Sequence, residues 1–348
     1  MTQKINIPQF QPETLMPQLD KHDLTVMSLF SGGGGLDLGF DRAGFQHVVS
    51  YELLPVCKET LNRNRLGWNI CAGLEGDVTE AIWTQYENQI DVIQGGPPCQ
   101  PFSIAGSQKG LGDKRNMWGE FQRAINTIKP RAFVAENVLG LLNPKFRGFV
   151  QKHILDKLQD YHIHQFVLHA VDFGVPQIRQ RVFFVGFRSR TDYKNFQIPK
   201  PTHVRKSSSV FIFDEGLPET LKVRAALGLP DIGFDNFSPT IRSGFTGKRN
   251  TTSILNSSAG QKIWGDMGIW PNGVQADRVK ASKFPAKNGH FRLSIQDVAL
   301  LQGFPESWVF EGAVYQKLGQ IGNSVVPPVA YEIARNVSNT LCGRSHKV

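Results

Sequence analysis

Between Leu24 and Phe187 the chain alternates short apolar runs with longer amphipathic ones. LTVMSLF, HVVSYEL, DVIQGG, RAFVAENV, HQFVLHAV and RVFFVGF have the length and the branched or aromatic content of strands. The segments between them, LDLGFDRAGF, LPVCKETLNRNR, MWGEFQRAINTIK and FRGFVQKHILDKLQD, suit helices. Such alternation predicts an α/β fold built on a doubly wound, mostly parallel sheet. From about residue 188 the pattern dissolves. KSSSVFIF and SGFTGKRNTTSILNSSAG show no clear period, and only PETLKVRAALGLP suggests a short helix. Order returns after residue 291 with LSIQDVALLQGF, and PPVAYEIARNVSNTL predicts a closing helix. These changes of texture predict a first domain over residues 1–187 (1–23 an N-terminal extension) and a second, smaller domain over 188–290. Residues 291–315 would be a hinge, and 316–348 a segment returning to the first domain.

Charge sharpens this division. The net charge is +9, yet between Arg188 and Phe291 there are 16 Lys and Arg against 8 Asp and Glu. One third of the chain therefore carries nearly all the excess, a natural footprint for a phosphate backbone. The four cysteines (57, 71, 99 and 342) form no CxxC pair, so neither a zinc knuckle nor a disulfide framework is indicated, and no metal site is expected. Such usage suits a reducing cytoplasm. No signal-like segment or apolar run long enough to span a membrane is seen, so no membrane association is expected.

In a doubly wound sheet, function gathers outside the carboxyl ends of the strands. The first strand runs into SGGGG and a helix start, where glycines admit a ligand close to the backbone. The second ends at Glu52, near the spacing at which an acid holds ribose hydroxyls. Asp77 follows the next element and could accept a hydrogen bond from an adenine amino group. Together these acids describe an adenosine-type cofactor site, and the lack of a GxxxxGK[ST] loop disfavours ATP. The next strand ends in GGPPCQPFS, where three prolines stiffen the backbone around Cys99. A buried structural cysteine needs no such mount. The following strand carries Glu136. In QIRQR, Arg179 and Arg181 alternate, so both would point to one face of an extended segment. Two guanidinium groups beside a thiol would lower its pKa and activate it as a nucleophile.

FSGGGG, GGPPCQPFS, ENV, QIRQR, LQGFP and GNSVVP, in this order, closely resemble the motif set of the DNA cytosine-5 methyltransferases, of the compact bacterial restriction–modification kind. The resemblance covers about residues 25–340 apart from the basic middle. It implies the S-adenosylmethionine-dependent methyltransferase fold with a target-recognition domain. It also implies S-adenosyl-L-methionine as cofactor (product S-adenosyl-L-homocysteine) and double-stranded DNA as partner. The protein would act as a monomer on DNA, in a bacterial cytoplasm, and protect DNA from a cognate restriction endonuclease. Catalytic roles would fall to Cys99, Glu136, Arg179 and Arg181. The cofactor would meet Phe30, Ser31, Gly32, Gly33, Gly35, Glu52, Leu53, Asp77, Val78, Pro98, Trp118, Asn323 and Ser324. DNA contacts are expected from Gln100, Ser103, Arg115, Arg242, Lys248 and Arg249, and Phe102 to Lys114 would close over a flipped base. Two positions depart from the pattern: Ser28 stands where many members have aspartate, and Asn116 where glycine is usual.

Three competitors share parts of this pattern. A transfer RNA cytosine methyltransferase would carry a Cys-Phe-Thr signature that is missing here. A non-catalytic DNA-binding relative would be expected to have lost Cys99, Glu136 or the arginines. A cysteine hydrolase would need a histidine base in a strand-end motif, and none is present.

Overall fold

The computed structural model describes residues 2–98, 116–205, 216–242, 251–255, 257–286 and 288–343 of the 348-residue chain. The chain divides into two compact units. One comprises Gln18–Leu168, Gln180–Pro199 and Ala330–Val348; the other comprises Met1–Pro17, His169–Arg179 and Lys200–Val329. The change of texture at residue 188 falls inside the first unit's second segment, and the N-terminal residues that precede the alternating pattern belong to the second unit.

Eleven strands are described: β1 (Thr25–Leu29), β2 (Gln46–Glu52), β3 (Ile70–Ala72), β4 (Val92–Gly95), β5 (Ala132–Val138), β6 (His162–His169), β7 (Gln177–Ile178), β8 (Gln180–Phe187), β9 (Ser238–Pro239), β10 (Ile269–Gln275) and β11 (Phe291–Ser294). The first unit is built on a seven-stranded sheet in the order β3-β2-β1-β4-β5-β8-β6. β1 pairs with β2 and β4, β2 with β3, and β4 with β5, all in parallel, while β8 runs antiparallel to β5. Each of the six expected strands is present; β3, only three residues long, lacks a pattern of its own. The order reverses direction between β1 and β4, the place where open α/β sheets put their ligands.

Helices α1 (Gly35–Arg42), α2 (Pro55–Asn64), α3 (Trp118–Ile128) and α4 (Arg147–His153) occupy the expected segments. Strand side chains Met27, Leu29, Ile93, Phe133 and Phe184 are fully buried, together with Phe121, Ile125 and Ile128 of α3. The helix expected over FRGFVQKHILDKLQD stops at His153, and Leu155–Lys157 forms a separate 3-10 turn. Two glycines are required by packing. A Cβ on Gly39 would lie 2.5 Å from Ala330 Cβ, and one on Gly186 2.1 Å from the Phe133 ring.

The second unit holds more regular structure than its sequence suggests. Parallel strands β10 and β11 pair, and helices Ser258–Asp266, Arg278–Lys283 and Ile295–Leu301 lie beside them in sequence. The last begins with a capping box between Ser294 and Asp297. Its N-terminal arm is bound in place: Asn6 Nδ2 donates to Leu227 O at 3.0 Å and to Asp297 Oδ1 at 3.1 Å. None of the described helices is long and apolar enough to cross a membrane.

Candidate active site

The carboxyl ends of β1 to β5 gather most of the residues singled out from the sequence. After β1 the backbone turns sharply through left-handed conformations at Phe30 (φ 60°), Gly32 (55°) and Gly34 (83°). A non-glycine residue held there stores backbone strain, which concentrates at ligand sites. Phe30 N donates to Tyr51 O at 2.9 Å, tying the turn to β2. Ser31 is buried, and its hydroxyl meets that of Ser28 at 2.7 Å, so the serine that replaces the usual aspartate has a partner.

Glu52 ends β2 with its carboxylate almost wholly buried. Oε2 accepts from Gly32 N at 2.7 Å and Oε1 from Leu54 N at 2.9 Å. Burial pushes its pKa up, while these backbone donors pull it back. Each oxygen keeps a lone pair for a hydroxyl donor, the requirement for holding a ribose. Leu53 beside it is exposed. Gly76 brings the following turn against this acid: a Cβ there would lie 2.2 Å from Glu52 O. That contact sets half-buried Asp77 and buried Val78 next to the end of β2. Asp77 Oδ1 accepts from Thr79 N at 3.0 Å and Thr79 Oγ1 at 2.8 Å.

At β4, a Cβ on Gly95 would come within 2.5 Å of Leu29 O, so the strand end packs tightly on β1. Pro98 O accepts from Met117 N at 3.2 Å, joining the proline loop to the start of α3. Trp118, the first residue of that helix, is buried edge-on against Phe121 and Phe184, and its Nε1 finds no acceptor among the described residues. The open turn at Gly32, the doubly anchored Glu52 and the exposed Leu53 fit the ribose and adenine of S-adenosylmethionine.

Glu136 and Arg181 meet across β5 and β8. Glu136 pairs with Phe183 and Val138 with Arg181, so the two charged side chains are diagonal neighbours on one face. Arg181 Nε lies 2.7 Å from Glu136 Oε1, with both side chains largely buried. Glu136 Oε2 in turn lies 3.1 Å from where a Cβ on Gly96 would stand. The neighbouring Asn137, which the sequence reading passed over, is buried and donates from Nδ2 to Pro97 O at 3.1 Å. Two residues of the ENV motif thus face the proline loop just ahead of Cys99. Asn137 could have been found from its place beside Glu136 in that motif.

Arg179 is placed differently from the expectation. The extended run breaks between β7 and β8, and the Arg179 side chain, 2 % exposed, lies among backbone carbonyls. It donates to Gly322 O and Ser324 O at 2.9 Å each and to Ile241 O at 3.5 Å. Arg179 thus reaches backbone carbonyls at Ile241, Gly322 and Ser324, whereas Arg181 Nε meets Glu136. Asn323 is exposed at the end of helix Val314–Asn323, and Ser324 is buried with its hydroxyl donating to Gln320 O at 2.7 Å. Arg242 is exposed, and its backbone N donates to Ile254 O at 3.3 Å. Cys99, Gln100, Ser103, Arg115, Lys248 and Arg249, and the loop from Phe102 to Lys114, lie outside the described residues.

Comparison with known proteins gives one answer at every level. Over 328 residues the chain is 33 % identical to the Type II methyltransferase M.NgoMIV of Neisseria gonorrhoeae, covering 91 % of this chain and 98 % of that protein. It is 34 % identical over 331 residues to M.NaeI of Lentzea aerocolonigenes, covering 91 % and 75 %. A solved structure from E. coli, assigned as a prophage-encoded DNA modification methyltransferase, superposes with a TM-score of 0.59 at 26 % identity, over 92 % of this chain and all of that one. Residues 24–339 match the family of C-5 cytosine-specific DNA methylases, and to that family this chain belongs.

Proposed function

We propose that the protein methylates one cytosine of a specific duplex sequence through a transient bond between Cys99 and the base, and so protects DNA from a cognate restriction endonuclease. The observation that carries this reading is the Glu136–Arg181 pair, aimed at the loop that leads to Cys99. S-adenosylmethionine would supply an electrophilic methyl group, and the turn from Phe30 to Gly33 with Gly35, Glu52, Leu53, Asp77, Val78, Pro98 and Trp118 would hold it.

Carbon 5 of cytosine is too weak a nucleophile to react unaided. The Cys99 thiolate adds its electron pair to carbon 6, and the displaced π electrons make carbon 5 nucleophilic. Glu136, in its protonated form, donates to ring nitrogen 3 and accepts from the exocyclic amine, stabilising the charge that builds on the ring. Arg181 holds the oxygen at position 2. Once carbon 5 carried the methyl group, with S-adenosylhomocysteine as the leaving group, its proton would pass to a solvent base, the freed electron pair would restore the 5,6 double bond, and Cys99 would leave as thiolate with the carbon 6–sulfur pair. The reacting carbons are out of reach inside a duplex, so the nucleotide must be flipped out of the stack. Gln100, Ser103 and Arg115 are assigned to DNA contacts. Residues 188–290 read the sequence, with Arg242, Lys248 and Arg249 as contacts. The protein works as a monomer in the bacterial cytoplasm.

Labelled methyl should pass to duplex DNA and not to transfer RNA. DNA containing 5-fluorocytosine should trap the protein covalently, because fluorine cannot leave as a proton does. Cys99→Ala should abolish both results while leaving cofactor binding nearly unchanged. An adduct mapped to Cys57, Cys71 or Cys342 would overturn the assignment.

A further inference from the structure

The motif QIRQR is split between two tasks. Its second half enters β8 and delivers Arg181 to Glu136. Its first half is stitched to the opening of the segment SPTIR. β7 pairs in parallel with β9, Ser238 N donates to Pro176 O at 2.9 Å, and Thr240 Oγ1 donates to Ile178 O at 2.6 Å. Gln177 Oε1 accepts from Ile241 N at 3.0 Å. The amide of Gln177 also donates to Leu301 O at 3.0 Å and to Gln302 Oε1 at 2.9 Å. Gln302 passes the connection on, donating to Ser324 O at 2.7 Å. Arg179 closes the circuit through its three carbonyls, at Ile241 on one side and at Gly322 and Ser324 on the other.

Thr240–Arg242 follow directly on the two residues of β9, with Arg242 N donating to Ile254 O at 3.3 Å, and Gly322 to Ser324 form the carboxyl end of a helix, where the last carbonyls lack intrahelical donors. A guanidinium suits such a junction, because its donors fan out in a plane and its charge complements the negative helix end. Gln177 and Gln302 are fully buried, so every bond they make is shielded from water.

We infer that Arg179, with Gln177 and Gln302, is a positioning residue that fixes the register of the recognition segment at Thr240–Arg242 against the Gly322–Ser324 turn, and so governs which sequences are methylated instead of touching the cytosine. This rests on residues 188–290 being the part that reads DNA.

The full-length enzyme and its R179K and T240V variants should each methylate plasmid DNA, with methylated positions mapped by bisulfite sequencing. S-adenosylhomocysteine affinity should be measured by calorimetry in parallel. A lysine cannot span three carbonyls, and T240V removes one strut of the same junction without touching the charge. The ratio of methylation at the wild-type target to methylation at sites differing by one base should fall about tenfold or more in R179K, and in the same direction in T240V. Cofactor affinity should stay near that of the wild type in T240V, whose lost strut to Ile178 O lies away from the Gly322–Ser324 turn. If both variants slow every site equally and the ratio is unchanged, Arg179 acts on the ring or only on stability, and the inference fails. If R179K does not fold, T240V decides alone by the same ratio. Wild-type enzyme that methylates no DNA sequence would instead remove the functional reading itself.

Discussion

Arg181 Nε stands 2.7 Å from Glu136 Oε1 on adjacent antiparallel strands, and the carboxylate's other oxygen faces Gly96, which precedes Cys99 in the sequence GGPPC. The pair is largely buried and salt cannot screen it as it would a surface bridge.

Replacing Glu136 by Gln keeps the shape and removes the charge. The turnover of labelled methyl into DNA should fall by about 10²–10⁴. Cofactor affinity should stay unchanged, because Glu136 is assigned to the base and not to the cofactor. A fall in cofactor affinity as large as the fall in rate would contradict the role assigned to Glu136.

The Glu52 carboxylate braces two turns at once, so its loss should be felt at the cofactor first. Removing a charged hydrogen-bond partner costs about 1.5–3 kcal/mol, so Glu52→Ala should weaken S-adenosylmethionine binding roughly ten- to hundredfold. Because burial raises the pKa of Glu52, binding by the wild type should also weaken on acidification at a higher pH than an exposed glutamate would show. Calorimetry across pH 4 to 8 checks both points.

How far these features could be read in advance depended on their scale. The sheet was legible because buried parallel strands are dominated by branched and aromatic apolar residues, as VMSLF, DVIQGG and RAFVAENV show despite single polar interruptions and polar ends. β3 was not, since three residues carry no period. In the basic middle, β10 reads IWPNGVQ, with a proline and a glycine inside the strand, and helix Ser258–Asp266 carries two glycines, so neither declares itself. At the site, Glu52 stands out in the sequence because it ends β2, and Glu136 because it interrupts an apolar run near the end of β5. Arg179 was misplaced because alternation assumes an unbroken strand, and only distant carbonyls at Ile241, Gly322 and Ser324 reveal the break.

Two packing glycines offer a test of the first unit that does not touch the chemistry. Any Cβ on Gly186 must displace the Phe133 ring, and one on Gly39 must displace backbone at Tyr331, 2.6 Å away. Overpacking of this kind costs about 1–3 kcal/mol, so each alanine variant should unfold at lower urea concentration than the wild type. Gly119, whose Cβ position has nothing within 4 Å, should accept alanine without loss of stability.

Beneath the cofactor turn, Asp37 of α1 and His47 of β2 share Ser50, and their opposite pKa shifts make a pH signature. The Ser50 hydroxyl donates to Asp37 Oδ1 at 3.2 Å, so His47 Nε2, 2.8 Å from the same oxygen, must be the donor to it. The histidine is then a neutral ring protonated at Nε2. Burial raises Asp37 from 3.8 to about 6, against the pull of its hydroxyl neighbours. Burial lowers His47 from 6.5 to about 4, with Asp41 raising and Lys21 lowering it further out. Between pH 3.8 and 6 the folded state holds more protons at Asp37 than the unfolded chain, so this carboxyl costs stability as pH rises, about 3 kcal/mol by pH 7. His47 does the reverse: its contribution is complete above pH 6.5 and is lost as pH falls toward 4. The two slopes oppose each other in the wild type. Asp37→Asn should therefore be more stable than the wild type at pH 7, with the advantage shrinking toward pH 4. His47→Gln, which keeps a donor to Ser50, should be less stable at pH 7, with the deficit shrinking over the range from pH 6.5 to 4. Urea melts of the three proteins at pH 4.5, 5.5 and 7 measure both differences. An Asp37→Asn advantage that stayed constant over that range would show that the carboxyl does not titrate there.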